Sequence, residues 1–325
     1  GASISGDGSI FAVGVERDDD AGTDLGSVIV FGKDANGKWV ENQKLFASDA
    51  GDDGGNDRFG RVVAVSKDGN YMIVGQRYHD DGDVANNANA GAAWIFRKNP
   101  DSLVWEEKHK FLGPIAGDEF GVSVSISHDG TFVAISSLRN NSLRGKVYVY
   151  KQTGTDGSQW DSGQTLVASD GASNHNFGLQ VNLSADGNYL IVGAYKEDGG
   201  TGGTDSGAAY VFHRNGADGA NQWDSNHYKL ENSNAVGNSR FGSSVSISED
   251  GTYVIVGAYG HTTFGRSYDG AAYIYTRSGT NTWGTEKELS RPDDHALANT
   301  SSGEHFGISV AMSDDGTTCV VGASN

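Results

Sequence analysis

The stretch FGSSVSISEDGTYVIVGAY, from Phe241 to Tyr259, decides the fold because close variants of it occur along the whole chain. The copies begin with Phe-Gly at residues 59, 120, 177, 241 and 306, so they recur at intervals of roughly 60 residues. A regular period of this length is typical of an array in which one supersecondary unit is repeated. Such arrays usually form surfaces and scaffolds, so any chemistry has to be argued from a site and not from the fold.

Each repeat predicts four β-strands, called a to d in chain order. In the repeat that starts at Phe241, strand a has apolar residues at alternate positions, and strand b, at residues 253–258, is almost continuously apolar. Asp250-Gly251 between them is a hairpin signal, because both residues adopt positive φ at low cost. Strand c begins at Gly270, and strand d carries Trp283. Gly and Asp recur too often for sustained helices, so the sequence predicts an all-β chain.

Strands b and c have to be covered on both faces, because their apolar runs are continuous and not alternating. Four-stranded antiparallel units of about 60 residues that bury both faces against their neighbours are the blades of a β-propeller. An open solenoid of sheets is the alternative architecture. We expect one domain, 1–325, with repeats at about 1–45, 59–112, 120–167, 177–230 and 241–289 and a partial repeat at 306–325.

The two ends of the chain do not complement each other. The first repeat lacks the Phe-Gly pair before Asp7-Gly8, and the last repeat, from Phe306, has only strands a and b. A propeller normally closes by completing one blade from both termini. We therefore expect this chain to be a segment of a longer array.

The composition is acidic, with 42 Asp and Glu against 24 Lys and Arg and a formal net charge of −18. Nucleic acids and anionic membranes are bound through Lys and Arg, so we expect neither as a partner. No run is long enough to span a membrane, so no membrane insertion is expected within this segment. The single cysteine, Cys319, lies in an apolar strand and is expected to pack as a small buried side chain.

The repeats resemble the FG-GAP repeat family, which includes the propeller of the integrin α-subunit. The likeness covers essentially the whole chain, and one repeat carries it at Phe177-Gly178, Val192-Gly193-Ala194, the strand from Gly207 to Phe212, and Trp223. The resemblance implies a β-propeller that is exposed on the cell surface or secreted. Two departures stand out. Tyr195 and Tyr259 replace the proline of Gly-Ala-Pro, and the turn between strands a and b is too short to wrap the calcium ion of the integrin type.

Acidic loops are the candidate metal sites. Carboxylates are ligands that Ca²⁺ prefers, and they cluster between strands b and c at Asp18, Asp20, Asp80, Asp81 and Asp83. The alternative is a set of solvated acidic turns, because the spacing of the carboxylates changes from repeat to repeat. Asn140 and Asn299 stand in Asn-x-Ser/Thr sequons in polar loops, so they are candidate glycosylation sites in a secreted protein.

The aromatic and histidine residues leave two further hypotheses to weigh. Every complete repeat has a Trp in strand d, namely Trp39, Trp105, Trp160, Trp223 and Trp283. Such a residue can stack on a sugar ring, but its constant register favours packing between blades. The nine His residues are scattered, and none belongs to a catalytic motif. The sequence therefore predicts a protein that is not an enzyme.

We expect a structural or adhesion module, outside the cell or on its surface, that presents variable loops to a protein or glycan partner. Neighbouring copies or other domains of the same assembly are further expected contacts. The alternatives are a carbohydrate-binding, lectin-like propeller and a hydrolase or lyase on a propeller scaffold. The loops with the most individual sequences are 77–91, 215–223 and 290–305.

Overall fold

The computed structural model describes residues 1–50, 56–80, 89–198, 202–216, 220–262, 268–290 and 303–324. The chain forms two compact units, one of residues 1–140 and 146–166 and the other of residues 141–145 and 167–325. Both units consist of antiparallel sheets, numbered 1 to 6 in chain order. In the described part of the chain, no helix has the length and apolar character needed to cross a membrane.

The first unit contains sheets 1 to 3, each with four strands paired in chain order. Sheet 1 consists of β1 (Ala2–Ile4), β2 (Ile10–Val15), β3 (Ser27–Lys33) and β4 (Trp39–Leu45). Sheet 2 consists of β5 (Val62–Val65), β6 (Tyr71–Gln76), β7 (Ala92–Lys98) and β8 (Trp105–Leu112). Sheet 3 consists of β9 (Phe120–Ile126), β10 (Phe132–Ser137), β11 (Lys146–Lys151) and β12 (Gln164–Leu166). One helical turn, α1 (Asn140–Leu143), lies between β10 and β11.

The second unit contains sheets 4 to 6. Sheet 4 consists of β13 (Val181–Leu183), β14 (Tyr189–Ala194), β15 (Ala208–Arg214) and β16 (Trp223–Leu230). Sheet 5 consists of β17 (Phe241–Ile247), β18 (Tyr253–Ala258) and β19 (Ala271–Gly279), and its strand d is split into β20 (Thr282–Trp283) and β21 (Lys287–Leu289). Sheet 6 is the pair β22 (Ser309–Met312) and β23 (Cys319–Gly322). The prediction of an all-β chain built from four-stranded antiparallel repeats is confirmed.

Successive sheets within a unit pack face to face. The strand b segments β6, β10 and β14 are buried at every position, as their continuous apolar sequences predict. One buried cluster joins sheet 1 to sheet 2 and includes Ala12 and Val30 from the first and Met72 and Trp94 from the second. Equivalent clusters join sheets 2 and 3 and sheets 4 and 5. The core therefore lies between the sheets and not inside any one of them.

Three glycines make the close contact between successive sheets possible. In the second unit, a Cβ atom on Gly193 of β14 would lie 2.0 Å from the carbonyl oxygen of Gly242 in β17. A Cβ on Gly242 would lie 2.1 Å from the carbonyl oxygen of Ala208, and one on Gly207 would lie 2.1 Å from that of Phe241. These separations leave no room for any side chain. The same triplet recurs as Gly14/Gly26/Gly60, Gly75/Gly91/Gly121 and Gly257/Gly270/Gly307.

The phenylalanine of each Phe-Gly pair connects two sheets. The backbone N–H of Phe241 donates to the carbonyl of Ser206, just before strand c of sheet 4. Its ring packs instead within its own sheet, 5.5 Å from the ring of Tyr273 and 6.2 Å from that of Tyr275, measured between centroids. Phe59, Phe120 and Phe306 make the same backbone bond at the other junctions. The recurring Phe-Gly is thus a joint, in which Gly touches the preceding sheet and Phe fills the core of the next.

A polar residue in strand a adds a second link between sheets. The carboxamide oxygen of Asn182 accepts a hydrogen bond from the backbone N–H of Ile247, at 2.9 Å. Ser3 and Ser246, at the equivalent position, accept from the N–H groups of Val65 and Met312. The strand a segments of neighbouring sheets are therefore joined by side chain to backbone bonds.

Replacing Gly193 with Ala tests the glycine joint. The new methyl group meets a backbone carbonyl that cannot rotate away, so we expect the free energy of unfolding to fall by about 3 kcal/mol. Gly284→Ala is the matched control, since a Cβ there has its nearest neighbour at 3.4 Å. Urea unfolding followed by tryptophan fluorescence measures both variants. Equal unfolding midpoints for the two would show that the sheets can separate to admit a methyl group.

The turn between strands a and b is held by its own side chains. In the first repeat, the Asp7 carboxylate accepts hydrogen bonds from the Ser5 hydroxyl at 2.6 Å and from the Ser9 N–H at 2.9 Å. The Ser5 hydroxyl oxygen in turn accepts from the N–H of Ile10 at 3.0 Å. The serine and aspartate bonds recur at Ser66/Asp68, Ser127/Asp129, Ser184/Asp186, Ser248/Asp250 and Ser313/Asp315.

The form of this turn differs from the prediction. Positive φ was expected at both Asp and Gly, but in all six turns only the Gly adopts it, with φ of 63° at Gly8 and 67° at Gly251. The loop has four residues, because the N–H of Ser5 pairs with the carbonyl of Ile10 and the N–H of Gly8 with that of Ser5. It is therefore a longer loop built around a type I-like turn. The Asp residue shapes the turn through the hydrogen bonds of its carboxylate and not through a positive φ of its own.

Acid should remove the contribution of this turn. Hydrogen bonds from Ser5 and from Ser9 lower the pKa of Asp7 to about 2. A lowered pKa stabilises the fold above the unfolded value of about 4 and stops doing so as pH falls through the folded value. Asp7→Asn should therefore lose about 1 kcal/mol at pH 6 and match the wild type near pH 2. Melting curves across this range are the measurement, with the exposed Asp101→Asn as control. A gap that persists at pH 2 would contradict the assignment.

Candidate functional site

The loops between strands b and c leave the sheets through identical stems. The N–H of the glycine that opens strand c donates to the carbonyl of the third residue after strand b. The four observed pairs are Gly26 to Asp18, Gly91 to His79, Gly207 to Glu197 and Gly270 to His261, at 2.9 to 3.1 Å. The loops that these bonds close differ in length and sequence.

The linker that leads to the next Phe-Gly runs along the same edge. In the second unit, the N–H groups of Asn238 and Arg240 donate to the carbonyls of Thr204 and Asp205 in the preceding b–c loop. In the first unit, Asn56 and Arg58 bond in the same way to Thr23 and Asp24. The b–c loops and the d–a linkers therefore form one polar edge of the sheets.

Four equivalent positions lie at this edge in sheets 2, 4 and 5: one in the linker, one just after strand b, an aromatic residue in strand c and one in strand d. In sheet 4 they are Asp170, Glu197, Tyr210 and Lys229, which we call the Lys229 cluster. The Lys229 ammonium lies 2.8 Å from Asp170 and 3.0 Å from Glu197. It also lies 2.8 Å from the neighbouring Glu231. Three carboxylates thus surround one ammonium group.

Burial and these bonds shift the protonation of the Lys229 cluster. Burial alone would lower the pKa of Lys229, but hydrogen bonds to the three carboxylates outweigh it and raise that pKa well above the usual range. Burial, together with the bond to Asp170, raises the pKa of Tyr210 far above its usual range. The side chain of Glu197 is only 3% exposed, and its Oε2 atom has no hydrogen-bond partner. The ammonium group of Lys229 therefore compensates the negative charge of this cluster by itself.

The equivalent cluster of sheet 2 is built around His79. Lys110 lies 2.5 Å from the linker carboxylate of Asp49, and its ammonium lies 5.0 Å from the centre of the Trp94 ring. His79 is buried between two carboxylates, with Nε2 3.7 Å from Asp49 and Nδ1 3.6 Å from Asp57. Neither ring nitrogen makes a hydrogen bond. These distances exceed hydrogen-bond length, so neither carboxylate is hydrogen-bonded to His79.

In sheet 5 the same positions are occupied mainly by neutral groups. The Tyr273 hydroxyl donates to the carboxamide oxygen of Asn234 at 3.0 Å, and the Asn234 amide donates to Glu288 at 2.7 Å. His261 lies 3.1 Å from the Ser239 hydroxyl. Burial lowers the pKa of His261 and so favours its neutral form near pH 7. The edge thus keeps its geometry from repeat to repeat while its chemistry changes.

Ser169 and His227, like Ser239 and His261, are a serine–histidine contact within the described residues that resembles a nucleophile and its base. The Ser169 hydroxyl lies 3.3 Å from Nε2 of His227, and burial lowers the pKa of that histidine. The other ring nitrogen has no partner to orient it, as a catalytic triad would require. Ser48 binds Glu107 and Ser233 binds Glu286 at the equivalent positions. The contact is therefore a recurring link between linker and strand d.

The predicted metal ligands are only partly placed by the structure. Asp18 lies 2.6 Å from the Lys44 ammonium, which also contacts Asp20. Hydrogen bonds from Lys44 and Ser27 outweigh burial and lower the pKa of Asp18. The carboxylate of Asp80 accepts from the N–H of Asn89. Over the ranges that the structure describes, no three His, Cys, Asp or Glu side chains are arranged to hold a metal ion.

Several predicted sites lie outside the described residues, and two predictions stay open. Asp81, Asp83 and Asn299 belong to undescribed stretches. Asn140 is the first residue of α1, and its side chain is not described. Calcium binding and glycosylation at these positions therefore remain predictions. In the integrin type, calcium is bound in the turn between strands a and b. In this chain, the carboxylate of that turn accepts a hydrogen bond from its own turn in every repeat, so the turn does not fit a calcium ion.

The strand d tryptophans divide into three groups, since Trp160 is only partly buried, against the cluster that joins sheets 2 and 3. Trp105, Trp223 and Trp283 are 3 to 5% exposed and pack in the core, as their constant register predicts. Trp39 is 39% exposed. With Ile4, Phe11 and Phe31 it lines an open cavity of about 420 Å³ on sheet 1. The four side chains are all apolar, whereas a sugar site also needs converging polar groups.

The sequence contains a signal for the edge clusters that the sequence analysis did not recognise. The segment KLFASD at residues 44–49 recurs as TLVASD at residues 165–170 and supplies the linker carboxylates Asp49 and Asp170. Lys44, Lys110 and Lys229 stand at one repeat position before an apolar residue. The pairing of lysine with linker aspartate is not visible until the repeats are stacked, because Lys110 bonds to the linker that precedes its own repeat.

Comparisons with known proteins agree with this architecture. A family model described as FG-GAP repeat matches residues 39–96, 160–212 and 225–275. No curated protein matches the sequence.

Solved structures give similar folds at low identity. The Dos1 propeller is similar over 100% of this chain and 65% of its own, with a TM-score of 0.54 and 12% identity. The periplasmic gluconolactonase PpgL of Pseudomonas aeruginosa is similar over 89% of this chain and 71% of its own, with a TM-score of 0.55 and 14% identity. A protein from Lactobacillus plantarum is similar over 90% and 71%, with a TM-score of 0.53 and 12% identity. This chain thus spans about two thirds of their length, and such identities show the fold alone.

Replacing Lys229 with Met should be far more damaging than replacing Lys44 with Met. Without its ammonium, the buried Glu197 keeps an uncompensated charge, so we expect a loss of about 3 kcal/mol at pH 7. Lys44 pairs with Asp18 and with Asp20, which is 71% exposed, so its loss should cost much less than the loss of Lys229.

The pH dependence separates a charge effect from lost packing. Hydrogen bonds from Lys229 and Tyr210 outweigh burial and lower the pKa of Asp170, so the gap between Lys229→Met and the wild type should narrow as pH falls through that lowered value. Chemical denaturation at pH 7 and near pH 2 provides the comparison. An equal deficit at both pH values would assign the loss to packing of the lysine stem.

Proposed function

Because the chain belongs to the FG-GAP repeat family and has its β-propeller fold, we propose that it is a non-catalytic scaffold that presents loops to a partner. The proposed contact surface is the polar edge formed by the b–c loops and the d–a linkers. The partner is a protein or a glycan. The proposed location is outside the cell or at its surface, which is what the family resemblance implies.

One observation carries this proposal: identical stems support different loops. The same glycine to carbonyl bond closes the loops at residues 19–25, 80–90, 198–206 and 262–269. Selection for stability alone needs only the stem. Loops that differ on a constant support are the arrangement by which rigid scaffolds hold recognition surfaces. The glycine joints are the rigid part of the proposed scaffold, and the b–c loops are its recognition part.

Charge narrows the chemistry of the partner. The chain carries a net charge of −18, and the described carboxylates at the edge are partly neutralised by Lys44, Lys110 and Lys229. An acidic edge favours partners with basic or neutral hydrogen-bonding surfaces and repels polyanions. We therefore place basic protein surfaces and neutral glycans before acidic glycans as ligands.

The absence of catalysis is part of the proposal and rests on the Ser169–His227 contact. In two other repeats the equivalent strand d position holds a glutamate, which accepts from the Ser48 hydroxyl in one and from the Ser233 N–H in the other. The structural link therefore explains the pair without chemistry. The likeness to a gluconolactonase concerns the fold, since identity to it is 14%.

Exchange of loops between matched stems tests the proposal. Residues 80–90 and 262–269 each lie between a His and a Gly that make the same stem bond. Replacing the first loop with the second should leave the melting temperature within a few degrees of the wild type. It should also remove at least one ligand that labelled wild-type protein binds on glycan and secreted-protein arrays.

The controls are chosen to separate recognition from catalysis. The reciprocal exchange, of residues 262–269 for 80–90, should remove a different ligand or none. Ligand binding that survives every loop exchange would contradict the proposed surface. Turnover of a lactone, ester or glycoside that is lost in Ser169→Ala would contradict the absence of catalysis.

A further inference from the structure

Three arginines converge where sheet 2 meets sheet 1. Arg58 and Arg61 flank the Phe59-Gly60 joint, and Arg77 directly follows β6, which is strand b of sheet 2. The guanidinium group of Arg61 lies 2.8 Å from the carboxylate of Glu16, directly after β2. Burial would raise the pKa of Glu16, but the hydrogen bond from Arg61 and the charges of all three arginines lower it. The three side chains, which we call the arginine cluster, therefore lie close enough to act on one carboxylate.

Two members of the arginine cluster have no carboxylate partner. Among the described residues, no carboxylate lies at ion-pair distance from Arg58 or Arg77, whereas Arg61 is paired. Glu119 also acts on Arg77 by charge, but Arg139 already binds that carboxylate at 2.8 Å. Burial and the charge of Arg61 lower the pKa of Arg77, as expected where like charges are held together. The cluster thus carries excess positive charge in a chain whose net charge is −18.

The ring of Tyr78 contacts both unpaired arginines. Its centre lies 4.3 Å from the guanidinium carbon of Arg77 and 5.1 Å from that of Arg58. Arg77 also donates a hydrogen bond to the Tyr78 hydroxyl. The Nε atoms of both arginines are buried and have no hydrogen-bond partner, and the terminal nitrogens of Arg58, which are open to solvent, make no hydrogen bond within the described residues either. The two arginines therefore present hydrogen-bond donors that the described part of the protein does not use.

The other repeats lack this arrangement. At the junction of sheets 4 and 5 the same three positions hold Arg240, Ser243 and Tyr259, and the single guanidinium group lies 5.3 Å from the centre of the tyrosine ring. In the repeats that begin at Phe120 and Phe177, the positions hold Glu119, Val122 and Leu138, and Asn176, Leu179 and Tyr195. The fold therefore does not require three arginines. Sheet 2 packs between sheets 1 and 3, so the cluster does not depend on an uncovered sheet face.

We propose that the arginine cluster is a binding site for a compact tetrahedral dianion, the chemistry shared by inorganic phosphate and the end group of a phosphate monoester. A phosphate group carries nearly two negative charges at pH 7, and the two unpaired arginines supply two positive ones. Guanidinium groups also match its oxygen atoms with paired donors. A carboxylate carries one charge and would leave one arginine unpaired.

This site is compatible with an acidic surface and does not rest on the proposed loop surface. Charges more than about 10 Å away are largely screened at about 0.1 M salt, so one small anion responds mainly to the nearest arginines. Arg77 and Tyr78 precede the loop stem at His79, so exchange of residues 80–90 leaves them in place. Loss of loop ligands and loss of phosphate binding are therefore separate outcomes.

Isothermal titration calorimetry at pH 7 and constant ionic strength tests the site with sodium phosphate, phenyl phosphate and sodium acetate. The wild type should bind phosphate with a Kd at least about tenfold lower than its Kd for acetate. Arg58→Gln and Arg77→Gln should each raise the Kd for phosphate at least about tenfold, because each removes a charged hydrogen-bond donor. Arg240→Gln is the matched control and should leave that Kd unchanged, since Arg240 packs on a tyrosine in the same way without two further arginines.

Thermal melting separates binding from a purely structural role of the arginines. Low millimolar phosphate should raise the melting temperature of the wild type and of Arg240→Gln, but not that of Arg77→Gln. Tighter binding of phenyl phosphate than of inorganic phosphate would identify an ester as the ligand, and the reverse order would identify the free anion. A wild type that binds neither compound at millimolar concentration would overturn the proposal. Phosphate binding that both Arg58→Gln and Arg77→Gln leave unchanged would also overturn it.

Discussion

Contact between backbones, with no side chain between them, is the constraint on which this structure depends. At four joints, between sheets 1 and 2, 2 and 3, 4 and 5, and 5 and 6, the glycine of a Phe-Gly pair lies against two glycines of the preceding sheet, and an added Cβ on any of the three would come within 1.6 to 2.3 Å of a carbonyl oxygen. Interiors pack too densely to absorb such an overlap. The glycines of the chain therefore do more than allow turns. Those at the joints set the separation at which aromatic and aliphatic faces interdigitate. The Phe ring fills the space beside the joint.

Fixing the joint also fixes the edge above it. The glycine that opens strand c contacts the next Phe-Gly and closes the b–c loop through its N–H, as Gly207 does with Phe241 and with Glu197. One residue thus serves both packing and loop support. A change in loop length leaves that residue in place, because the loop begins and ends at the same hydrogen bond. Loop variation is therefore separated from core stability, which is the physical condition for a scaffold that carries different recognition surfaces.

The sequence predicts the fold well because the signals of the fold are local. Glycine at the joint, the serine and aspartate of the a–b turn and the alternation in strand a all lie within a few residues of one another. The backbone form of the turn was mispredicted. A positive φ was expected at both Asp7 and Gly8, but only Gly8 has it, and hydrogen bonds to the Asp7 carboxylate hold the turn instead. The edge clusters were missed for a different reason. The Lys229 cluster combines a linker, a b–c loop and two strands, and no local pattern connects elements so far apart in the chain.

The lysine of strand d gives a physical alternative to the calcium expected from the acidic loops. An ammonium group brings one positive charge and three donors to a cluster of carboxylates, at no entropic cost of binding an ion from solution. Lys229 satisfies three carboxylates in this way, and Lys44 contacts Asp18 and Asp20 of its own b–c loop. Where the lysine is replaced, the partners change with it: Glu288 at this position faces the neutral Asn234. Lysines of the chain thus partly neutralise the edge carboxylates in sheets 1, 2 and 4, so an acidic composition does not by itself require a bound ion at the edge.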